Sequence, residues 1–105
     1  MGTLKFIVTG QHIEKDPICD FSGLVPGTKG YLRAAFSFSK EWNGCGKIAE
    51  FRRFSTSEPV PVKIVGDACI IPAEVTAKRS FKVTVIGVKK EFKIITDNVE
   101  VKQGA

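Results

Sequence analysis

The chain has 105 residues, with sixteen Lys and Arg against eleven Asp and Glu, for a net charge of +5. That length fits one domain, expected to span residues 1–105, and a hydrophobic content of 43 % suits a folded core rather than a disordered tail. No apolar run approaches the ~20 residues that cross a bilayer, and MGTLKFIVTG has neither a basic leader nor a cleavable apolar segment, so a cytosolic origin and no membrane partner are expected.

In chain order, alternation of apolar and polar residues predicts strands almost throughout. The first covers residues 4–9 and puts Leu4, Phe6 and Val8 on one side; Gly10 ends or bulges it, and Gln11-His12-Ile13 continues it. Residues 14–30 contain Pro17, Gly23, Pro26, Gly27 and Gly30, an irregular connection with room for short strands at 18–21 and 23–25. Within it, Val25-Pro26-Gly27-Thr28 has Pro and Gly at the central positions of a type II turn. Residues 31–54, YLRAAFSFSKEWNGCGKIAEFRRF, read as a central hairpin around which the rest is arranged. Leu32, Ala34, Phe36 and Phe38 share one side of its first strand, residues 40–46 supply turn chemistry, and Ala49 and Phe51 share one side of its second. Trp42, the single tryptophan, closes the first strand and caps one end of the core.

Residues 55–58 are a polar connection to an alternating strand at 60–65, where Pro61 has no N–H to give a ladder and so marks an edge. Gly66-Asp67 turns the chain into a short apolar strand ended by Pro72, and Pro72-Ala73-Glu74-Val75 suits a single helical turn. Residues 81–88 form the next strand, interrupted at Gly87; a charged turn leads back to 92–96, and 99–102 is a last strand before a polar end, Gln103-Gly104-Ala105. The expected fold class is therefore all-β: an immunoglobulin-like antiparallel β-sandwich of seven or eight short strands, with a small barrel as the alternative. Shared parity assigns its core to Phe6, Val8, Leu32, Ala34, Phe36, Phe38, Trp42, Ala49, Phe51, Val62, Ile64, Ile70, Phe81, Val83, Val85 and Ile94.

No catalytic motif stands out. His12 is the only histidine, and no family signature surrounds the thiols of Cys19 or Cys45 that might pair with it. Glu50, Glu58, Asp67, Glu74 and Glu91 fall in different elements, and Gly44-Cys45-Gly46-Lys47 lacks the length and hydroxyl of a phosphate loop. Cys19, Cys45 and Cys69 are an odd number at wide spacing, which fits neither a disulfide framework nor a zinc site. Reduced thiols with Cys69 buried are expected, the alternative being a single or intermolecular disulfide. Phe6 occupies the position where a myristoylation signal needs a hydroxyl. The expectation is no enzyme, no catalytic residue, no cofactor and no metal ion.

The candidate interaction residues are Tyr31, Arg33, Ile48, Arg52 and Arg53. An exposed sheet face around Tyr31, Arg33 and Ile48 is expected to carry a homo-oligomeric contact, a dimer or trimer. Arg52 and Arg53 join Lys47 and Phe54 in a basic and aromatic cluster. Nucleic acid is not the expected partner, because most Phe residues take the buried parity and leave no stacking platform. Tyr31 and Trp42 are the candidates for stacking carbohydrate.

The order of signals is KFIVTGQ-I, then YL-A-F-FS-EW-G--K-A-F, C-IP-EV, F-V-V-G, ITDN-V-V and a terminal QGA. It resembles a small β-domain of structural cassettes in tailed phages and prophages of Gram-positive bacteria. There the domain occurs alone or as the N-terminal module of baseplate, tail-fibre and head-fibre proteins. The resemblance runs from Lys5 to Ala105 and is most specific in residues 36–51 and at Pro72 and Glu74. Ala73 departs from it where an aromatic is common, as do Arg52-Arg53 and Lys89-Lys90 where short uncharged turns are usual. It implies a non-enzymatic virion decoration protein or a fibre or baseplate attachment domain, assembled in the host cytoplasm, with phage structural proteins as partners. The alternative is a phage-encoded binding protein that inhibits a host factor through its basic face.

Overall fold

The computed structural model describes residues 2–53 and 57–104. Its strands are β1 Gly2–Thr9, β2 His12–Lys15, β3 Leu32–Phe38, β4 Gly46–Arg52, β5 Val60–Ile64, β6 Ala68–Ile70, β7 Ser80–Lys89, β8 Phe92–Ile95 and β9 Val99–Lys102. They form two sheets. Sheet A has the order β2-β1-β3-β6; sheet B has the order β5-β4-β7, with β8 and β9 sharing the far side of β7. A 3₁₀ turn covers Lys40–Trp42, and α1, Ala73–Thr76, is the single helical turn that Pro72 announces. The all-β sandwich of two sheets expected from the alternation is what is found. The described strands number nine rather than seven or eight. The chain does not continue past Gly10 but doubles back, pairing Thr9 with His12.

The central hairpin is not a hairpin. β3 pairs with β1 and β6, while β4 pairs with β5 and β7, so residues 31–54 cross from one sheet to the other. A strand with one apolar side buries it equally well beside a neighbour or against a facing sheet, and alternation is identical in the two cases. What decides is residues 39–42. Ser39 N–H donates to Val8 O (2.9 Å), Gly10 N–H to Ser39 Oγ (2.9 Å), and Trp42 Nε1–H to Gly10 O (2.9 Å). These bonds tie the crossing to the β1–β2 turn and carry Trp42, fully buried, between the layers.

The sandwich is not wholly antiparallel either. β1 and β3 run parallel, Phe6 beside Phe36. Parallel neighbours need a long crossover, and residues 16–31 provide it. The short strands expected at 18–21 and 23–25 are absent, and Ile18 and Val25 are exposed. The connection is pinned instead by side bonds. Asp16 N–H donates to Lys5 O, Gly27 N–H to Thr76 O, Gly104 N–H to Leu24 O, and Thr76 Oγ1–H to Thr28 O. Gly27 has φ +100°, as the Pro26-Gly27 type II turn requires. The expected polar end is partly buried: the Gln103 amide donates to Thr76 O (3.1 Å) and Lys78 O (2.7 Å), closing the C-terminus on α1.

An aromatic line crosses the core from Phe21 through Phe6, Phe36 and Phe38 to Trp42, with successive ring centroids 5.4, 5.6, 5.7 and 5.3 Å apart. Such pairs add ~0.5–1.5 kcal/mol beyond the area they bury. Of the expected core, Ile70 is wrong: it is 42 % exposed, while Cys69 and Ile71 beside it are buried, because Cys69 rather than Ile70 shares parity with Ala34. Leu4, Ile13, Val75 and Val101 complete the interior; Phe38, Val62 and Ile94 are partly buried against it. Gly87 does not interrupt β7, which runs on to Lys89.

The two edges where the layers meet are also bonded. On one, Gly66 and Asp67 (φ +60° and +58°) turn β5 into β6, and Asp67 O accepts from Phe36 N–H. On the other, Asp97 N–H donates to Gln11 O, the Gln11 amide donates to Ile95 O, and Ile13 N–H donates to Asp97 Oδ1. Thr96 fills the gap between β8 and β9: its N–H donates to Val85 O and its Oγ1 accepts from Val85 N–H.

Candidate functional site

In sheet B the side chains of Ala49, Phe51, Val83 and Val85 are buried, so the alternate positions of the same strands face outward. Register then lines up Lys63, Ile48, Ile86 and Ile95 in one row across β5, β4, β7 and β8. Ile48 and Ile95 are each 41 % exposed and Val88 is exposed beside them. The next row is Gly46, Val88 and Lys93. Because Gly46 has no side chain, a dent of about 320 Å³ opens there, walled by Ile48, Pro61, Ile86 and Val88 and rimmed by Lys63. Further along, Arg52, Lys82 and Glu100 share a row.

The outward positions of this sheet thus carry Arg52, Lys63, Lys82, Lys93 and Lys102 against Glu50 and Glu100. Among the described residues ion pairs occur only at His12; Arg52 Nη1–H donates to Ser57 O (2.9 Å), and five cations against two carboxylates leave the face basic. An aliphatic floor inside a basic field is complementary to a surface that is acidic and partly apolar.

The structure divides the sequence-predicted residues between the layers. Ile48 and Arg52 belong to this outer face, and Arg53 is exposed directly after β4. Arg33 points outward from sheet A, in register with Thr3 and Ile70. Tyr31, 52 % exposed, precedes β3 and lines a separate groove of about 390 Å³ with Asp20, Leu24, Val25 and Thr28. Ile48 of β4 therefore shares no face with Arg33 of β3 or with Tyr31 just before it, because β3 and β4 lie in different sheets, and facing sheets are ~10 Å apart. Phe54, the aromatic member of the basic cluster, lies outside the described residues, as do Met1, Ser55, Thr56 and Ala105. Trp42 is buried and offers nothing to a sugar. Exposed Phe92 has its ring covered by Lys89 Nζ, 5.2 Å from the centroid.

His12 sits exposed at the sandwich edge, Nδ1–H donating to Asp97 Oδ2 (2.9 Å) and Nε2 facing Glu14 Oε2 (3.3 Å). The hydrogen bond to Asp97, then that to Glu14, holds the imidazole pKa above its ordinary 6.5, and the same His12 bond holds Asp97 below its ordinary 3.8. Among the described residues no group of three His, Cys, Asp or Glu is placed to hold a metal ion. The cysteines are free, and burial pushes the Cys69 thiol up to about 11, which keeps it protonated.

Sequence reasoning missed Gly46, Lys63, Ile86, Val88, Lys93 and Ile95. The signal was present: Ile86, Val88 and Ile95 are apolar on the parity opposite to Val85 and Ile94. Comparison with protein-family models, with curated proteins and with solved structures gives no match to this chain.

Proposed function

We propose that this chain is a non-enzymatic phage or prophage structural protein, a virion decoration or fibre or baseplate attachment domain that acts through protein–protein contacts. The observation that carries the contact reading is the outward row Ile48–Ile86–Ile95 on sheet B, aliphatic in its middle and basic around it. The virion setting is supported by the resemblance of residues 5–105 to phage structural β-domains. Within that setting the partners are other phage structural proteins, and assembly takes place in the host cytoplasm.

The excess of cations on the outward face of sheet B favours a second reading, a phage-encoded protein that blocks a host factor through its basic face. Quantitative mass spectrometry of purified particles separates the two. Copies in a fixed ratio to the major capsid or tail proteins support the structural role. Presence in infected cytosol with absence from particles overturns it in favour of the inhibitor.

A further inference from the structure

Three of the strand glycines can be asked why they are glycines. At Gly87 a Cβ would lie 2.7 Å from the Trp42 ring, so packing inside the chain forbids one, and at Gly2 it would lie 2.9 Å from Leu32 Cδ2, so that side-chain end would have to shift. Gly46 is different. Its φ is not among the positive values, and a Cβ built there meets only Val88 O, at 3.8 Å, an ordinary contact. Gly46 opens β4, and neither its backbone nor its neighbours require glycine there. Close approach of a ligand or another chain is one use of a strand glycine, and here the missing side chain leaves the dent beside Val88.

We propose that the dent at Gly46 receives one apolar side chain of a partner protein segment whose other residues are acidic. This rests on the reading of the domain as a protein-binding module and names the chemistry of what is bound. The walls, Ile48, Ile86, Val88 and Pro61, are aliphatic. The volume is at the small end of the ~300–1,000 Å³ typical of ligand clefts, which suits a side chain better than a large cofactor. Lys63 stands at one end of the isoleucine row and Lys93 beside Val88, while Glu50, the nearest outward carboxylate on β4, is one row away. A second copy of this chain would bring the same lysines against these and repel them. Single-stranded nucleic acid would satisfy the charge, but among the described residues Phe51 and Phe81 point inward and the isoleucine row offers only aliphatic side chains.

The test uses the whole chain and three probes: a short glutamate-rich peptide with one central leucine, the same peptide with serine in its place, and an oligothymidylate of equal charge. Methyl NMR reads the site and fluorescence anisotropy reads the affinity. The leucine peptide is expected to bind saturably, to shift the Ile48, Ile86 and Val88 methyls, and to bind at least ~10-fold more tightly than the serine peptide, a difference of ~1.4 kcal/mol. Gly46→Val should abolish that preference while leaving the urea midpoint unchanged or higher, and the surface variant Lys63→Glu should weaken the leucine peptide without altering the fold. Equal binding of the two peptides, tighter binding of the oligothymidylate, shifts confined to other residues, or no saturable binding at all each overturn the proposal. None of these outcomes bears on whether the chain is found in particles, so failure here and failure of the structural reading are distinct results.

Discussion

Gly87→Ala tests the packing of the two layers at their tightest point. By backbone propensity alone the change should stabilise the strand by ~0.5–1 kcal/mol. The structure gives the opposite sign. The new Cβ would sit 2.7 Å from Cε3 and Cζ3 of Trp42 and 3.2 Å from Cys45 Cβ. The indole cannot simply swing away, since it is fully buried and its Nε1–H is bonded to Gly10 O at 2.9 Å. Overpacking of this kind costs ~1–3 kcal/mol, which set against the ~0.5–1 kcal/mol propensity gain leaves a net loss of about 0–2.5 kcal/mol, centred on about 1. At ~4–8 °C per kcal/mol for a domain near this size, the melting temperature should fall measurably. Trp42 is the single tryptophan, so its fluorescence reports both the unfolding transition and any displacement of the ring. Gly46→Ala is the matched control one register position away, and it should be neutral or stabilising, because nothing crowds its Cβ. The reasoning fails if Gly87→Ala is as stable as the parent, or if the two variants shift alike.

Phe36→Ala should cost ~3–5 kcal/mol, since the ring is buried and stacked between Phe6 and Phe38; chemical denaturation reads it, and an unchanged midpoint would show that the aromatic line is not central. Thr96→Val leaves the Val85 N–H without its side-chain acceptor at the break between β8 and β9, at ~1–3 kcal/mol, and hydrogen exchange at Val85 should accelerate with it. The His12–Asp97 pair fixes a pH window. The raised His12 pKa contributes stability that is complete below 6.5 and lost as pH rises through its folded value; the lowered Asp97 pKa contributes above 3.8 and is lost as pH falls through its own. The pair therefore contributes most between those limits. The stability difference between the parent and His12→Gln, measured by urea titration, should be larger at mildly acidic than at alkaline pH, and a difference constant across that range would rule the linkage out.

The strands were legible because alternation at Phe6-Val8, Ala34-Phe36-Phe38 and Phe81-Val83-Val85 is a local pattern with a local cause. Their partners were not, because pairing is decided by bonds far apart in the sequence. Nothing at Ser39 announces that its backbone will meet Val8 or that its hydroxyl will take the Gly10 N–H. Without those bonds residues 31–54 read as a hairpin, and Tyr31, Arg33 and Ile48 seem to share a face. Gln103 reads as part of a polar end for a related reason: the carbonyls its amide serves, Thr76 at the end of α1 and Lys78 just beyond it, lie some 25 residues earlier.

The outer face of sheet B was hidden by a different habit, that of reading outward positions as solvent. Along β7 the outward residues run Ser80, Lys82, Thr84, then Ile86 and Val88. β4, antiparallel to it, runs Arg52, Glu50, then Ile48 and Gly46, and the change from polar to apolar falls at the same level on both strands. On the next edge Glu100 and Lys102 lie beside the polar half, and Ile95 lies beside the apolar half. Strand propensity does not require this, because Thr84 gives β7 a β-branched residue without exposing an apolar one. Solubility does not require it either, and the polar half shows that the same sheet tolerates charge there. β4 and β7 change character at the same level, with Lys63 of β5 and Lys93 of β8 flanking the apolar half, and Gly46 lies on the apolar side of that level. In the proposed contact, that level is the edge of the partner's footprint.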